Sequence, residues 1–467
     1  MPAALAVVDR DSALEFLFSR INYERTTHIP YRTGGLKLER MQQLLTLVGD
    51  PHLAYPIVHI AGTKGKGSTA TMIASILQTA GYRTGLYTSP HLERLEERFV
   101  VNGELCSERA FVQLVADMQI ATNRLEARDP QNRCPTFFEI TTAMGLLHFA
   151  RAGAEAVVLE VGLGGRLDST NVCRPKLCVI TSISFDHVKQ LGNTLYAIAR
   201  EKAGIIKRGV PVVSSVCDDE PRSAIEQAAA ANEAPLFQRG RDFDYEVSTD
   251  AAADSMRITY REPANGAHYE LGPLPIGMLG EHQALNAATA IAVARRLQEQ
   301  SFQIKDEALH TGLARAKCPA RIEVVRQRPT VVLDVAHNLA SIAALLEALA
   351  RRCPARRRVL VFASSRDKDP SGMLRLLLPQ FDHVILTKYV NNPRAVEPAE
   401  LCNQAAAILA EQKDGAAKIE SAAEPLAAWR RAQEVAESSD LICITGSFFL
   451  AAELRSAVVQ QTSSFSQ

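Results

Sequence analysis

The chain has 467 residues, too many for one ordinary hydrophobic core, and this length predicts two or three domains. Basic and acidic side chains number 52 each, so the zero formal charge gives no support for nucleic acid or a membrane surface as the main partner. No apolar run reaches the roughly 20 residues of a membrane-spanning helix. The nine cysteines are scattered without a C-x-x-C pair, which favours reduced thiols in a cytoplasmic protein over a zinc site or disulfides.

Hydrophobic periodicity predicts helices and strands that alternate along most of the chain. Helical spacing is found at 13–21, 36–45, 71–80, 136–152 and 283–298. Short apolar runs predict buried strands at 57–61, 83–87, 156–161, 177–183 and 210–216, and a second series at 331–335, 359–363, 383–387 and 441–445. Residues 242–274 carry short, alternating, turn-punctuated runs, which predict antiparallel strands appended to the main sheet.

The predicted fold class is α/β, with a P-loop-type, mostly parallel sheet covered by helices on both faces and a smaller C-terminal α/β domain. Pro319 interrupts the pattern, so we predict a larger domain over residues 1–317 and a smaller C-terminal domain over residues 318–467. Ligands of open α/β sheets bind beyond the carboxyl ends of the strands. The polar motifs fall at those ends, which predicts a site in a cleft between the domains.

A glycine-rich stretch with two lysines follows the first predicted strand and precedes a helix. That order is the context in which such a loop binds phosphate, and the predicted cradle comprises Gly62, Thr63, Lys64, Gly65, Lys66, Gly67 and Ser68. Gly67 separates Lys66 from Ser68, unlike the usual G-x-x-x-x-G-K-[ST] spacing, so Ser68 is not given the magnesium role. A strand-to-helix turn with an incidental lysine is the alternative.

Three polar residues at strand ends are candidates for a metal site. Glu160 ends an apolar strand, where a buried carboxylate needs a cation such as Mg²⁺ or a partner such as Arg166. Ser89 and His187 follow two other strands and are expected near the same place. Spacing alone leaves His187 open between a structural and a ligand role, because Mg²⁺ prefers oxygen ligands.

From about residue 35 to residue 454, the chain resembles the folylpolyglutamate synthase and dihydrofolate synthase family, which is related to the Mur ligases. The resemblance rests on an ordered set of motifs: Gly62-Thr-Lys-Gly-Lys-Gly-Ser68, Ser89-Pro-His-Leu92, Glu160-Val-Gly-Leu-Gly-Gly-Arg-Leu-Asp168, Asp186-His187, Glu201-Lys-Ala-Gly-Ile205, Gly280-Glu-His-Gln-x-x-Asn286, Asp334-Val-Ala-His-Asn338 and Pro393-Arg-Ala395. Some of these motifs are weak individually, whereas their order along the chain is specific.

The resemblance implies a role for each motif. It implies that Mg²⁺ is bound by Ser89, Glu160 and His187, and that ATP is held by the phosphate cradle with Asn286, Arg321 and Asp334. It also implies that Lys66 and Lys202 are catalytic, with Lys202 carbamylated by carbon dioxide. A pterin substrate is expected along Thr136, Phe138, Leu167, Asp168 and Ser169. The role of His337, toward the phosphoryl group, the amine or the fold alone, stays open.

Three departures from the family pattern affect the loop, the linker and a helix start. Lys64 stands where asparagine is usual, which adds positive charge beside the phosphates. Cys318-Pro-Ala-Arg321 replaces the commoner Trp-Pro-Gly-Arg, so linker contacts near the adenine are in doubt while Arg321 remains. Leu339 replaces a frequent proline, a change expected to alter a helix start rather than the chemistry.

The implied reaction is ATP-dependent addition of L-glutamate to a folate, to dihydropteroate, or to both, through an acyl phosphate, in a cytoplasmic monomer. One alternative is a Mur-type cell-wall peptide ligase. Against it stand the loop and Ser89-Pro-His-Leu92, and the lack of a large substrate-binding domain before residue 57. Another alternative is a P-loop ATP-binding switch without ligase activity.

Overall fold

The structure is a computed structural model that describes residues 7–26, 38–128, 134–250, 255–264, 267–411 and 417–463. Residues 36 and 37 of one predicted helix lie outside this range, as do residues 251–254 and 265–266 of the predicted antiparallel region. Within the described residues, no helix is long and apolar enough to cross a membrane.

The strands of the described residues form three sheets. In chain order they are β1 (Ile57–Ala61), β2 (Thr84–Tyr87), β3 (Phe99–Val101), β4 (Ala156–Glu160), β5 (Leu177–Ile180), β6 (Val212–Ser214), β7 (Leu236–Gln238), β8 (Asp244–Asp250), β9 (Ser255–Ala264), β10 (Ala267–Pro275), β11 (Glu323–Gln327), β12 (Thr330–Leu333), β13 (Arg358–Phe362), β14 (His383–Leu386), β15 (Lys418–Ser421) and β16 (Leu441–Thr445).

Helices connect and cover these strands. In chain order they are α1 (Arg10–Phe18), α2 (Leu38–Leu47), α3 (Lys66–Thr79), α4 (Glu108–Arg128), α5 (Phe137–Arg151), α6 (Val188–Leu191), α7 (Leu195–Ala203), α8 (Asp219–Ala231), α9 (His282–Gln298), α10 (Asp306–Arg315), α11 (Leu339–Arg352), α12 (Pro370–Leu377), α13 (Pro398–Glu411), α14 (Pro425–Val435) and α15 (Phe448–Ser463). Two predicted helices, α5 and α9, agree with their predicted bounds to within one residue at each end.

The first sheet has the strand order β3-β2-β4-β1-β5-β6-β7, and its neighbours are parallel except for β2 and β3. Central strand β1 is buried along its whole length. Because successive side chains point to opposite faces, Val58 and Ile60 pack in the core with α3 and α9, whereas Ile57 packs in the core with α4 and α5. Helices on both faces therefore leave the strand ends as the place for a ligand.

Strands β8, β9 and β10 form a separate antiparallel sheet in the order β10-β9-β8. The antiparallel prediction for this region is therefore confirmed, but the strands do not extend the main sheet as predicted. Ile258 and Tyr260 are fully buried in the core that contains α9, so this small sheet packs face-on against that helix. Burial of its apolar face against α9 explains why it stands apart from the first sheet.

The third sheet belongs to the C-terminal part of the chain and has the order β11-β12-β16-β13-β14-β15. Its neighbours are parallel except for β11 and β12. Two cores lie on its two faces, one with α11, α12 and α13 and the other with α14 and α15. The proposed boundary between residues 317 and 318 falls between α10 and β11 and stays a prediction.

Candidate active site

A cavity of about 480 Å³ lies at the carboxyl ends of the first and third sheets. Residues that follow β1, β2, β4 and β5 form one wall, and residues that follow β12, β13 and β16 form the other. The predicted site residues that line it are Thr63, Lys64, Gly65, Lys66, Gly67, Ser68, Ser89, Glu160, His187, Asn286, Arg321 and Asp334. The other predicted site residues are absent from this lining: Gly62, Lys202, Thr136, Phe138, Leu167, Asp168 and Ser169.

The phosphate cradle is the loop that leads from β1 into the first turn of α3. The helix begins at Lys66, so the predicted start at residue 71 is wrong, and the Thr69 N–H already donates to the Gly65 carbonyl over 2.9 Å. Gly65 is the N-cap residue of the helix, and its φ of 82° lies in the left-handed region that favours glycine. A Cβ there would lie 2.3 Å from Asn286 Oδ1, so α9 approaches the loop as closely as it does only because residue 65 is glycine. A helix start that faces a cavity in this way suits a phosphate group.

Helix α9 is joined to the cradle by a short chain of hydrogen bonds. Thr69 Oγ1 donates to Asn286 Oδ1 over 3.3 Å, and Asn286 Nδ2 donates to Gln283 Oε1 over 2.9 Å. Gln283 Nε2 in turn donates to Ser68 Oγ over 3.4 Å. The Ser68 hydroxyl therefore takes part in the contact between α3 and α9, and its exclusion from the metal set stays a prediction.

Glu160, the last residue of β4, is a buried carboxylate at the cavity and is only 5% exposed. Its Oε2 accepts a hydrogen bond of 3.2 Å from the Ser89 N–H, and its Oε1 lies 4.0 Å from Lys66 Nζ. Burial raises the pKa of Glu160, and Lys66 and the Ser89 amide offset this only in part. A buried, under-neutralised carboxylate beside a phosphate cradle fits a divalent cation.

Asp186 and His187 follow β5 on the other side of β1. Burial favours the protonated form of Asp186, but His187, Lys64 and Lys368 outweigh it and hold the pKa of that carboxyl well below its usual range. Lys64 Nζ is 3.5 Å from Asp186 Oδ2, and Lys368 Nζ is 3.1 Å from Asp186 Oδ1. The His187 side chain is 40% exposed, but desolvation within the cleft, together with the nearby lysines and against Asp186, lowers its pKa to about 4, so the neutral imidazole is able to bind a metal.

The predicted metal residues Ser89, Glu160 and His187 line the same cavity from the ends of three strands. Among the described residues, no group of three or more histidine, cysteine, aspartate or glutamate side chains stands ready to hold a metal ion. The set instead offers one carboxylate, one hydroxyl and one imidazole. Magnesium sites commonly combine one or two protein carboxylates with substrate phosphates, so these residues fit Mg²⁺ that arrives with a nucleotide.

Lys202, on α7, lies behind the phosphate cradle and is only 5% exposed. Its Nζ donates to the Gly62 carbonyl over 2.8 Å. Burial, followed by the charge of Lys66, lowers the pKa of Lys202 to about 7. A substantial fraction of this amine is therefore neutral near pH 7, which is the form that reacts with carbon dioxide.

Asp334 organises the cavity wall contributed by the C-terminal residues. It is 6% exposed, and its oxygens accept the Ile322 N–H over 2.8 Å and the Ala336 N–H over 2.7 Å. Burial raises its pKa against the charge of Arg321. Through these two bonds Asp334 fixes both the backbone next to Arg321 and the turn that leads to His337.

His337 lines the cavity in its neutral form, because burial, and then Lys64 and Lys368, lower its pKa to about 3. Its Nδ1 lies 2.8 Å from the Val335 carbonyl, which assigns the proton to Nδ1 and leaves Nε2 as an acceptor. The geometry is compatible with a contact to a bound group, and the open role predicted for His337 stays a prediction.

The residues expected along a pterin substrate do not line the cavity. They lie on the side of the cavity wall that the first sheet contributes. Phe138 packs on Gly162, where a Cβ would be 2.4 Å from the ring, so it is adjacent to a cavity-lining residue. Thr136 caps α5 and its hydroxyl donates to Glu139 over 2.8 Å. Leu167 and Ser169 flank Asp168 on the neighbouring loop.

Asp168 is buried and engaged within its own loop. One carboxylate oxygen accepts the Leu163 N–H over 2.9 Å, and the other accepts the Thr170 N–H over 3.0 Å. Burial raises its pKa against these hydrogen bonds. Its observed contacts therefore shape the loop that begins at Gly162, and its contact with a substrate stays a prediction.

Sequence reasoning assigned no role to several polar residues of the cavity wall, among them Asp186, Lys368, Arg394 and Ser447. Asp186 and Arg394 stood inside motifs that were noticed, and Lys368 and Ser447 follow the predicted strands β13 and β16. The available signal was the same one that identified Glu160, a polar residue just beyond an apolar strand.

The site and fold together define an ATP-dependent ligase of the Mur type. Residues 60–294 match the family described as Mur ligase middle domain, and residues 320–448 match the Mur ligase, glutamate ligase domain. A dihydrofolate synthase/folylpolyglutamate synthase from Bacillus subtilis is 36% identical over 426 residues, which cover 90% of this chain and 94% of that protein. One from Escherichia coli is 32% identical, with 95% of each chain covered.

Solved structures agree with this assignment. Mycobacterium tuberculosis folylpolyglutamate synthase complexed with ADP has a TM-score of 0.84 and 29% identity, covering 95% of this chain and 97% of that one. Escherichia coli FolC in complex with DHPP and ADP has a TM-score of 0.82 and 28% identity, covering 99% and 100%. The chain belongs to the folylpolyglutamate synthase and dihydrofolate synthase family. The predicted family, α/β fold class and enzyme class are thereby confirmed.

Proposed function

We propose that this chain uses ATP to activate a carboxylate of a folate or of dihydropteroate and joins it to the amine of L-glutamate. The observation that carries the proposal is the two-walled cavity, with the phosphate cradle on one wall and Arg321 and Asp334 on the other. Relatives named for both activities support a folate ligase over a cell-wall peptide ligase or an ATP-binding switch. The neighbour solved with ADP supports the nucleotide.

The first half-reaction transfers the γ-phosphoryl group of ATP to the substrate carboxylate. The amides at the start of α3 and the Lys66 ammonium bind the phosphate oxygens and neutralise the charge that develops during transfer. Bound Mg²⁺ would supply Lewis-acid stabilisation of the same oxygens, with Ser89, Glu160 and His187 as its proposed protein ligands. Asn286, Arg321 and Asp334 orient the nucleotide between the two walls.

In the second half-reaction, the glutamate nitrogen attacks the acyl carbon of the acyl phosphate. The C–N bond forms, the C–O bond to phosphate breaks, and the amine proton is lost. The products are the amide, ADP and phosphate. Arg394 lines the C-terminal wall and offers a cation suited to a carboxylate of glutamate. Exclusion of water from the cavity is needed at this stage, because water competes with the amine for the acyl carbon.

Carbamylation of Lys202 by carbon dioxide is supported by the electrostatics around it. The neutral Nζ attacks carbon dioxide, the N–C bond forms, and one nitrogen proton is released, leaving an anionic carbamate. Lys66 and Lys64, which disfavour an ammonium at this position, favour an anion there. The carbamate on the buried Lys202 then offsets part of the positive charge of the cradle lysines.

The remaining proposed assignments concern the acceptor side and the state of the protein. Phe138, next to cavity-lining Gly162, supports an acceptor site along Thr136, Phe138, Leu167, Asp168 and Ser169. We also propose the domain division at 317/318, a monomeric state, a cytoplasmic location and small molecules rather than nucleic acid as partners.

The test is to incubate the protein with ATP, Mg²⁺ and L-glutamate, together with either dihydropteroate or a tetrahydrofolate, and to quantify ADP and the glutamylated product. Product with both acceptors would establish a bifunctional enzyme, and product with one would fix the specificity. ATP turnover that is indifferent to glutamate and to both acceptors would overturn the proposal.

A further inference from the structure

Among the described residues, the ion pairs between the parts of the chain before and after residue 318 have the same polarity. In the described part of the chain, three cross between residues before and after residue 318, and in each the cation comes from the C-terminal side: Arg351 with Glu281, Lys368 with Asp186, and Arg455 with Glu93. Lys368 and Asp186 alone among these pairs both line the cavity. Opposite charges thus hold the two parts of the chain together at the cleft. One of these ion pairs lies inside the cavity.

The Lys368–Asp186 pair joins the carboxyl ends of the two parallel sheets. Asp186 follows β5 and Lys368 follows β13, with 3.1 Å between Nζ and Oδ1. The side chains are only 18% and 16% exposed, so solvent screens the pair less than it screens a surface pair. Asp186 Oδ2 lies 3.5 Å from Lys64 Nζ, so the same carboxylate connects the phosphate cradle with the opposite wall.

We propose that Lys368 is a positioning residue whose ion pair with Asp186 holds the cleft closed over the acyl phosphate, so that ATP consumption stays coupled to amide formation. This inference rests on the proposed ligase activity. The pair adds no group to the chemistry itself. It keeps the wall that carries Arg321, Asp334 and His337 against the wall that carries the cradle.

Loss of the pair would give water access to the intermediate. Water then attacks the acyl phosphate, the C–O bond to phosphate breaks, and the original carboxylate, phosphate and a proton are released. ATP is consumed and no amide is formed. The number of ADP molecules per amide therefore reports on closure, whereas a general loss of folded protein lowers both products together.

The experiment measures ADP and amide in the same reaction for the wild type, Lys368→Met, Lys368→Arg and Arg455→Met. We expect a ratio of about one in the wild type and a rise to about two or more in Lys368→Met, with a roughly tenfold lower kcat/KM for glutamate. Lys368→Arg keeps the cation and should restore most of the coupling. Arg455→Met removes the ion pair with Glu93 across residue 318, together with the pair of Arg455 and Glu323, both outside the cavity, and should leave the ratio at about one.

A dissociation constant for ADP within about twofold of the wild-type value would show that Lys368→Met retains the folded nucleotide wall. A ratio of one with unchanged kcat/KM in Lys368→Met overturns the proposal, as does an equal rise in Arg455→Met. Failure of the wild type to form any amide would instead overturn the proposed function, so the two failures are distinguishable.

Discussion

Two carboxylates flank the phosphate cradle, and they differ in the number of lysine ammonium groups beside them. Glu160 ends β4 and Asp186 follows β5, the two strands that pair with β1. Both side chains are largely buried, at 7% and 16% exposed. Glu160 has one lysine ammonium at 4.0 Å, whereas Asp186 has two, at 3.1 and 3.5 Å. The pKa of Glu160 is accordingly raised by burial, and the pKa of Asp186 is held low by its cations.

Burial alone therefore does not determine what a carboxylate does in this cleft, because the supply of nearby cations differs. Asp186 is already neutralised by protein groups and is suited to a structural link between the walls. The negative charge of Glu160 is desolvated and only partly offset by nearby cations. Glu160 is therefore the better candidate to bind a divalent cation together with the nucleotide. We therefore expect a catalytic role for Glu160 and a positioning role for Asp186.

The largest expected effect is on turnover. Glu160→Gln keeps the shape of the side chain but removes the charge proposed to bind Mg²⁺, so we expect a roughly 10²–10³-fold loss of kcat. Asp186→Asn removes a charge that the protein neutralises itself, so its loss of kcat should be about tenfold or less. Steady-state rates over a Mg²⁺ titration measure both effects. Near-wild-type turnover in Glu160→Gln would contradict the metal assignment.

A second prediction concerns the anion proposed at Lys202. Lys202→Ala should lower kcat by roughly 10–100-fold, the cost typical of losing a group that supports a metal site. Small carboxylates such as acetate should restore part of the rate, because they can occupy the vacated volume and replace the carbamate charge. Full activity of Lys202→Ala without added carboxylate would refute the carbamate.

The matched control for that rescue is Lys207→Ala. Lys207 follows α7 in the connection to β6, and its Nζ donates to Asn171 Oδ1 over 2.7 Å and to the Asn171 carbonyl over 3.1 Å. Burial also lowers its pKa, yet its ammonium contacts Asn171 and not the phosphate cradle that Lys202 contacts. Acetate should therefore leave the rate of this variant unchanged, and equal rescue of both variants would point to a general ionic effect.

Much of the fold was predictable because the nine inner strands of the first and third sheets are short runs between polar turns, whereas the outer strands β3, β7, β11 and β15 were not predicted. The phosphate cradle and Glu160 were predictable for the same reason, since both lie where such a run ends. The beginning of α3 was misplaced because glycines at the N-cap, Gly65, and in the first turn, Gly67, lower helix propensity, yet Gly65 is packed against Asn286 of α9. The long helix α4 was missed although its buried residues recur at helical spacing.

Pairing across the cleft could not be predicted from local pattern. Asp186 and Lys368 are 182 positions apart in sequence, and nothing in either segment specifies which opposite charge it meets. The same holds for Lys202, whose position behind Gly62 depends on how α7 packs beneath the loop. Burial and distance, which decide the pKa of each group, become known only when the two sheets are placed against each other.

The smallest expected effect is on thermal stability, and its sign differs between the two carboxylates. Because the pKa of Glu160 is raised in the folded state, its ionised form costs stability at pH 7, and Glu160→Gln should raise the melting temperature in Mg²⁺-free buffer. Because the pKa of Asp186 is lowered, its charge adds stability above the usual aspartate pKa, and Asp186→Asn should lower the melting temperature.

Each change is on the order of 1 kcal/mol, or about 2 °C, and is measurable by calorimetry at pH 7. The contribution of Asp186 is lost as pH falls through its lowered folded-state pKa, so the deficit of Asp186→Asn should shrink in acid. Shifts of the same sign for both substitutions at pH 7 would show that the two carboxylates are neutralised alike. Such a result would remove the electrostatic reason for assigning the cation to Glu160.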